Sequence, residues 1–193
     1  AKMEIVRRYF QAAVEARRSG SGQEYVERLE LLMNQAGVDV NYSPARSAAL
    51  LKEETTGRPA GAMVLPDGSV VTGKTSDLLG AASSLLMNAL KGVAGVDDAV
   101  DVISNEVIEP ICELKTSTLN SRNPRLHSDE TLLALSSATD PLAKQLIDHA
   151  GDLKGCDAFF SVIISSTDEK LYRTLGINVC CEPKYEQRRY YHR

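Results

Sequence analysis

The chain has 193 residues, of which 43% are hydrophobic and 25% charged, with a formal net charge of −4. That size suits one substantial soluble domain, or a core domain with a helical appendage. The acidic balance argues against a general nucleic-acid binder, which needs a basic face. No apolar run reaches a membrane span and no signal peptide opens the chain, so a cytoplasmic, membrane-free protein is expected. The opening AKMEIVRRYF already reads as mid-helix, which predicts a longer protein with an N-terminal part missing from this piece.

Helical spacing of Ile5, Val6, Tyr9, Phe10, Ala13 and Val14 predicts a helix over 2–18. Ser19 to Gly22 breaks it. Residues 23–36 form a second helix, with Val26, Leu29, Leu32 and Met33 inward and Gly37 as its stop. Ser43-Pro44 caps and starts a third helix that runs to about Glu54. Gly57 and Pro59 close this helical section. The predicted domains are therefore a helical subdomain at 1–58 and an α/β subdomain at 59–193.

Ala62 to Leu65, the Pro66-Asp67-Gly68 turn and Val70 to Thr72 predict a β-hairpin. A nearly all-apolar helix is expected after Thr75, carrying Leu78, Leu79, Leu85, Leu86, Met87 and Leu90 into the centre. A short strand is predicted at 100–103. A helix capped by Ser104 then runs to about Leu119, kinked or restarted at Pro110. After a polar loop at 120–127, Ser128 caps one helix and Asp140-Pro141 starts another. The apolar run 158–164 reads as a strand covered on both faces, followed by a helix over 167–175 and a last strand over 177–181. Strands alternating with helices predict an α/β fold with a three-layer mixed sheet.

The candidate ligand site is the junction Gly73-Lys74-Thr75-Ser76-Asp77, read as a helix N-terminus whose free N–H groups attract an anion. Residues 68–75 also satisfy G-x-x-x-x-G-K-[ST], but the hairpin turn at Asp67-Gly68 and the β-branched material after it argue against a P-loop. The polar loop offers Arg122, Asn123, Arg125 and His127 as a second set, arginine for a carboxylate or phosphate and His127 for proton transfer. Together they suggest a pocket with Lys74, Thr75, Ser76, Asn123 and Arg125 as ligand-binding residues and His127 or Asp77 as candidate catalytic groups. A phosphate- or carboxylate-bearing metabolite, a nucleotide included, is the expected ligand. The residues identify no cofactor and leave open whether this is an enzyme.

Bland readings stand beside these. Thr75 or Ser76 also suits a simple cap, and the 120–127 loop also suits plain solvation. Asn41, Tyr42 and Arg46 form a lesser cluster at a helix start, while His149 and His192 look peripheral. The four cysteines (Cys112, Cys156, Cys180 and Cys181) have no C-x-x-C spacing or histidine neighbours, so packed, reduced thiols are expected rather than zinc ligands. The basic aromatic tail, with Arg188, Arg189, Tyr190 and Tyr191, suits contact with another domain or a partner copy.

Several blocks, among them VNYSPARSAALLK, LPDGSVVTGKTSDLLGAASSLLMNALK, NPRLHSDETLLALSSATDPLAK and GINVCCEPKYEQRRYYHR, resemble the C-terminal part of the bacterial family domain of unknown function 1846. The resemblance runs along essentially the whole chain. It implies a preceding nucleotide-binding-like domain and, in this portion, a cytidine deaminase-like fold. Thr75-Ser76-Asp77 and Glu109-Pro110-Ile111-Cys112 depart from the zinc motif of true deaminases, so no metal is expected. The resemblance transfers a location for a pocket and no catalytic residues. The rival function is a non-catalytic module that docks the preceding domain or forms a homo-oligomer.

Overall fold

The computed structural model describes residues 1–187; the tail residues Arg188 to Tyr191 and His192 lie outside the described residues. The elements are α1 (Lys2–Ser19), α2 (Gln23–Ala36), α3 (Pro44–Thr56), β1 (Ala60–Val64), β2 (Val70–Lys74), α4 (Ala81–Ala94), α5 (Asn105–Glu113), α6 (Ser128–Ser137), α7 (Pro141–Asp148), β3 (Asp157–Phe160), α8 (Ser166–Thr174) and β4 (Asn178–Cys181). The strands form one mixed sheet in the order β2-β1-β3-β4. β1 runs antiparallel to both neighbours and β3 parallel to β4, so β2, β3 and β4 share one direction.

The alternation of side chains along each strand divides the core in two. Ala62, Phe159 and Cys180 face α1 and α3, meeting Val6, Phe10, Ala45 and Ala49. Met63, Phe160 and Cys181 face the other way, toward Leu85, Leu86 and Leu90 of α4 and Tyr172 of α8. Each of those fully buried leucines contributes about 2 kcal/mol of burial. Helices thus cover both faces of the sheet, and the expected three-layer α/β arrangement is present. Two glycines allow the layers to close. A Cβ on Gly73 would sit 2.3 Å from the Leu85 nitrogen, and one on Gly61 would sit 2.5 Å from the Phe160 ring.

Local signals place the first helices well: Gly37 closes α2 with φ 69°, and the Ser43 hydroxyl accepts the Arg46 N–H ahead of Pro44 at the start of α3. Leu32, expected inward, is 47% exposed, because α2 packs on α1 through Val26, Leu29 and Met33. The expected strand at 100–103 is absent. There the Asp97 carboxylate accepts the Ala99 N–H and its carbonyl accepts the Val100 N–H, so the chain turns instead of extending. Downstream, α5 passes through Pro110 and widens into a π turn over Leu114–Thr118. Pro110 lacks the N–H that would bond the preceding turn.

The largest correction concerns the hairpin's exit. Val70 to Lys74 is paired strand, register-matched to Ala60–Val64, and the Thr75 N–H continues the ladder to the Pro59 carbonyl at 2.8 Å. Residues of the P-loop pattern are therefore locked in a sheet, and that reading falls. Thr75, Ser76 and Asp77 are not a helix N-terminus either. The chain needs residues 75–80 to cross from the sheet edge, and α4 begins at Ala81 behind Gly80. Leu78 and Leu79 belong to this crossing, where Leu126 donates to the Leu78 carbonyl and Gly80 to the Leu126 carbonyl.

Candidate functional site

The C-terminal ends of β2, β3 and β4 all point to one end of the sheet, the usual place for a site in an open α/β sheet. A cleft of about 320 Å³ opens there, lined by Thr75, Ala81, Asn123, Arg125, His127 and Asp168, among others. Three helices begin at its walls: α4 after Gly80, α6 after His127 and α8 after Ser165. Gly80 has no side chain to occupy the first-turn N–H groups of α4, so that end presents backbone donors toward the cleft.

The polar loop is held firmly. The buried Lys115 ammonium donates to the Arg125 carbonyl and to Glu130 at 2.8 Å. Glu130 also accepts the His127 backbone N–H at 2.9 Å, so His127 rather than Ser128 is the residue that caps α6. Arg125 is buried and its Nε donates to the Ser76 carbonyl at 2.6 Å, tying the loop to the 75–80 crossing. The Asn123 carbonyl oxygen accepts the Arg125 N–H at 3.0 Å. That bond orients the amide, so the Asn123 NH2 is the group facing His127 Nε2 at 3.3 Å. Nε2 must then accept, and the imidazole proton resides on Nδ1.

Nδ1 faces Asp168 Oδ2 at 3.3 Å. Asp168 is 8% exposed and collects three further donors: the Ser128 N–H at 2.8 Å, the Ser128 hydroxyl at 2.6 Å and the Ser165 hydroxyl at 2.9 Å. Burial works to raise its pKa, but the hydrogen bonds from His127 and Ser128 outweigh it and the carboxyl ends below its ordinary value. His127 moves the other way. The hydrogen bond to Asp168 raises its pKa and partial burial opposes the rise. An ionised carboxylate thus orients a histidine and stabilises its imidazolium, while the lone pair of the far nitrogen is held by the Asn123 amide and takes a proton only when that amide moves aside.

Of the residues singled out from sequence, Thr75, Asn123, Arg125 and His127 come together here. Lys74, Ser76 and Asp77 line a different cleft on the other side of the 75–80 crossing. The Asp77 carboxylate is exposed and paired with Arg58 at 3.1 Å. Arg122 is exposed. Arg46 joins Glu182 at 2.6 Å and Asn41 at 2.9 Å, a structural tie between α3 and the chain after β4. His149 pairs with Asp152 at 2.7 Å. All four cysteines are free and buried, and burial pushes the Cys180 and Cys181 thiols up to about 12, which removes them as nucleophiles at neutral pH. Among the described residues no group of three or more His, Cys, Asp or Glu is placed to hold a metal ion, and no helix is long and apolar enough to cross a membrane.

Sequence reasoning missed Asp168, Ser165 and Ser128. A signal existed for the first two. Ser165-Ser166-Thr167-Asp168 is an S-x-x-D capping pattern directly after the apolar run 158–164, and the Ser165 hydroxyl does accept the Asp168 N–H at 3.1 Å. Nothing local shows that the same carboxylate reaches residues about 40 positions away.

Residues 41–191 match the family model described as domain of unknown function DUF1846, C-terminal. A UPF0371 protein of Corynebacterium efficiens is 46% identical over 99% of this chain, and one of Streptococcus pneumoniae is 42% identical over 98%. The chain spans 39% of the length of each of these relatives.

Proposed function

The chain belongs to the family described as domain of unknown function DUF1846, C-terminal, and on that premise we propose that the cleft at the ends of β2, β3 and β4 binds a small phosphate- or carboxylate-bearing metabolite, with His127 as the proton-accepting group. The observation that carries this reading is the Asp168–His127 couple beside the uncapped start of α4. Helix N-terminal donors and the basic loop favour an anion, and Nε2 takes a substrate proton once a bound ligand draws the Asn123 amide off its lone pair. Asp168 acts through His127, and Ser128 and Ser165 hold Asp168. A strand order with β1 antiparallel to the other three supports a likeness to the cytidine deaminase-like fold, as a fold and not as a chemistry. The four buried free thiols suit a reducing compartment, the cytosol.

The test is a thermal-shift screen of nucleotides, sugar phosphates and dicarboxylates on wild type, Asn123→Ala and Lys74→Ala. A ligand that binds the folded state raises the melting temperature. A shift lost in Asn123→Ala and kept in Lys74→Ala supports the assignment. No shift from any compound, or a shift lost only in Lys74→Ala, contradicts it.

A second reading rests on a separate surface. Tyr25, Leu31 and Leu32 are 50%, 60% and 47% exposed on α2, which packs against α1. Such a face suits docking of the rest of a longer protein or of a second copy. Solution mass of wild type against Leu31→Glu decides it. Unchanged monomeric mass in both removes the second-copy version.

A further inference from the structure

The cleft across the 75–80 crossing, about 540 Å³ in volume, receives three lysines from three elements: Lys52 of α3, Lys74 of β2 and Lys91 of α4. Lys91 is 8% exposed, and among the described residues its ammonium has one hydrogen-bond partner, the Asp98 carbonyl at 3.1 Å. An ammonium has three donors, so two directions remain. None of the three lysines makes an ion pair among the described residues, whereas the equally buried Lys115 holds Glu130 at 2.8 Å and Arg46 holds Glu182 at 2.6 Å. An ammonium in such a cleft with one protein acceptor leaves its other donors to water or to an incoming anion. The last turn of α4, where Lys91 sits, attracts a cation but completes only part of its coordination.

The carboxylates of the same cleft do not neutralise this group. Asp77 is taken by Arg58 at 3.1 Å, and Asp98 and Asp101 are exposed, so water screens them. We propose that this second cleft is an anion site for a small phosphate-bearing molecule with at least two negative charges, Lys91 meeting it at depth and Lys52 and Lys74 closing on it from the mouth. Lysines act on such a group as mobile point charges, and a multiply charged phosphate offers enough acceptor oxygens to engage all three. This site is independent of the His127 cleft, and neither assignment depends on the other.

The experiment is chemical-shift mapping and calorimetry with inorganic pyrophosphate on wild type, Lys52→Met/Lys74→Met and Lys91→Met. The site predicts amide shifts at Lys74, Lys91 and Asn105, and affinity weakened about tenfold or more in the double variant. Rising salt weakens binding as well. The double variant changes partly or fully exposed side chains and keeps the test valid if Lys91→Met folds poorly. Absence of binding at millimolar pyrophosphate, shifts confined to the His127 cleft, or affinity unchanged in the double variant would each overturn the proposal.

Discussion

The two clefts share one wall, the six residues from Thr75 to Gly80, yet they are built on opposite plans. In the first, charge is buried and answered: Asp168 has four donors, His127 has a partner on each nitrogen, and Lys115 pins the loop that carries both Asn123 and Arg125. In the second, three lysines line the cleft and none of them forms an ion pair among the described residues. A satisfied buried network fixes side-chain positions to a fraction of an ångström, which proton transfer needs. Unanswered cations fix little and gain most from an incoming counter-charge. The difference between the clefts is one of preorganisation.

Removing the centre of the first cleft breaks that contrast hardest. Asp168→Ala leaves the buried Ser128 N–H and hydroxyl and the Ser165 hydroxyl without their acceptor, and should cost roughly 3–5 kcal/mol in urea denaturation. Gly73→Ala attacks the contact between β2 and α4 instead. Its Cβ meets the α4 backbone at 2.3 Å, so α4 must lift, at about 2–3 kcal/mol, measured in the same way. Ser165→Ala removes the α8 cap and one Asp168 donor, an expected loss of about 1 kcal/mol.

The pH dependence sharpens the comparison. The folded His127 pKa is raised, so its contribution is complete below the ordinary histidine value and is lost as pH rises through the raised one. The folded Asp168 pKa is lowered, so its contribution is present above the ordinary carboxylate value and is lost as pH falls through the lowered one. The stability advantage of wild type over His127→Asn should therefore be larger at about pH 5.5 than at about pH 8.5. Equal advantages at both would contradict the couple. Smallest of all, Lys74→Met should change stability by no more than about 0.5 kcal/mol, because an exposed side chain without a partner among the described residues supports little.

How legible this was in the sequence depended on the range of the signal. Gly37, the Ser43-Pro44 pair and the Asp67-Gly68 turn act on their immediate neighbours, and the elements they bound fell where expected. The start of α4 did not. Thr75-Ser76-Asp77 has good capping chemistry, but pairing of β2 with β1 overrode it by carrying the strand through Lys74. The candidate site was half legible for the same reason. Polar residues clustered on one loop signalled Asn123, Arg125 and His127. The division of Thr75 from Lys74 between two clefts, and the reach of Asp168 across to Ser128, arise only when the helix starts are brought together.

The most direct test is a nitrogen-detected imidazole titration of His127 in wild type and Asp168→Asn. A neutral ring protonated on Nδ1, with a pKa above the ordinary histidine value that drops in Asp168→Asn, is the predicted result. A neutral ring protonated on Nε2, or a pKa indifferent to Asp168, would contradict a proton acceptor presented to the cleft.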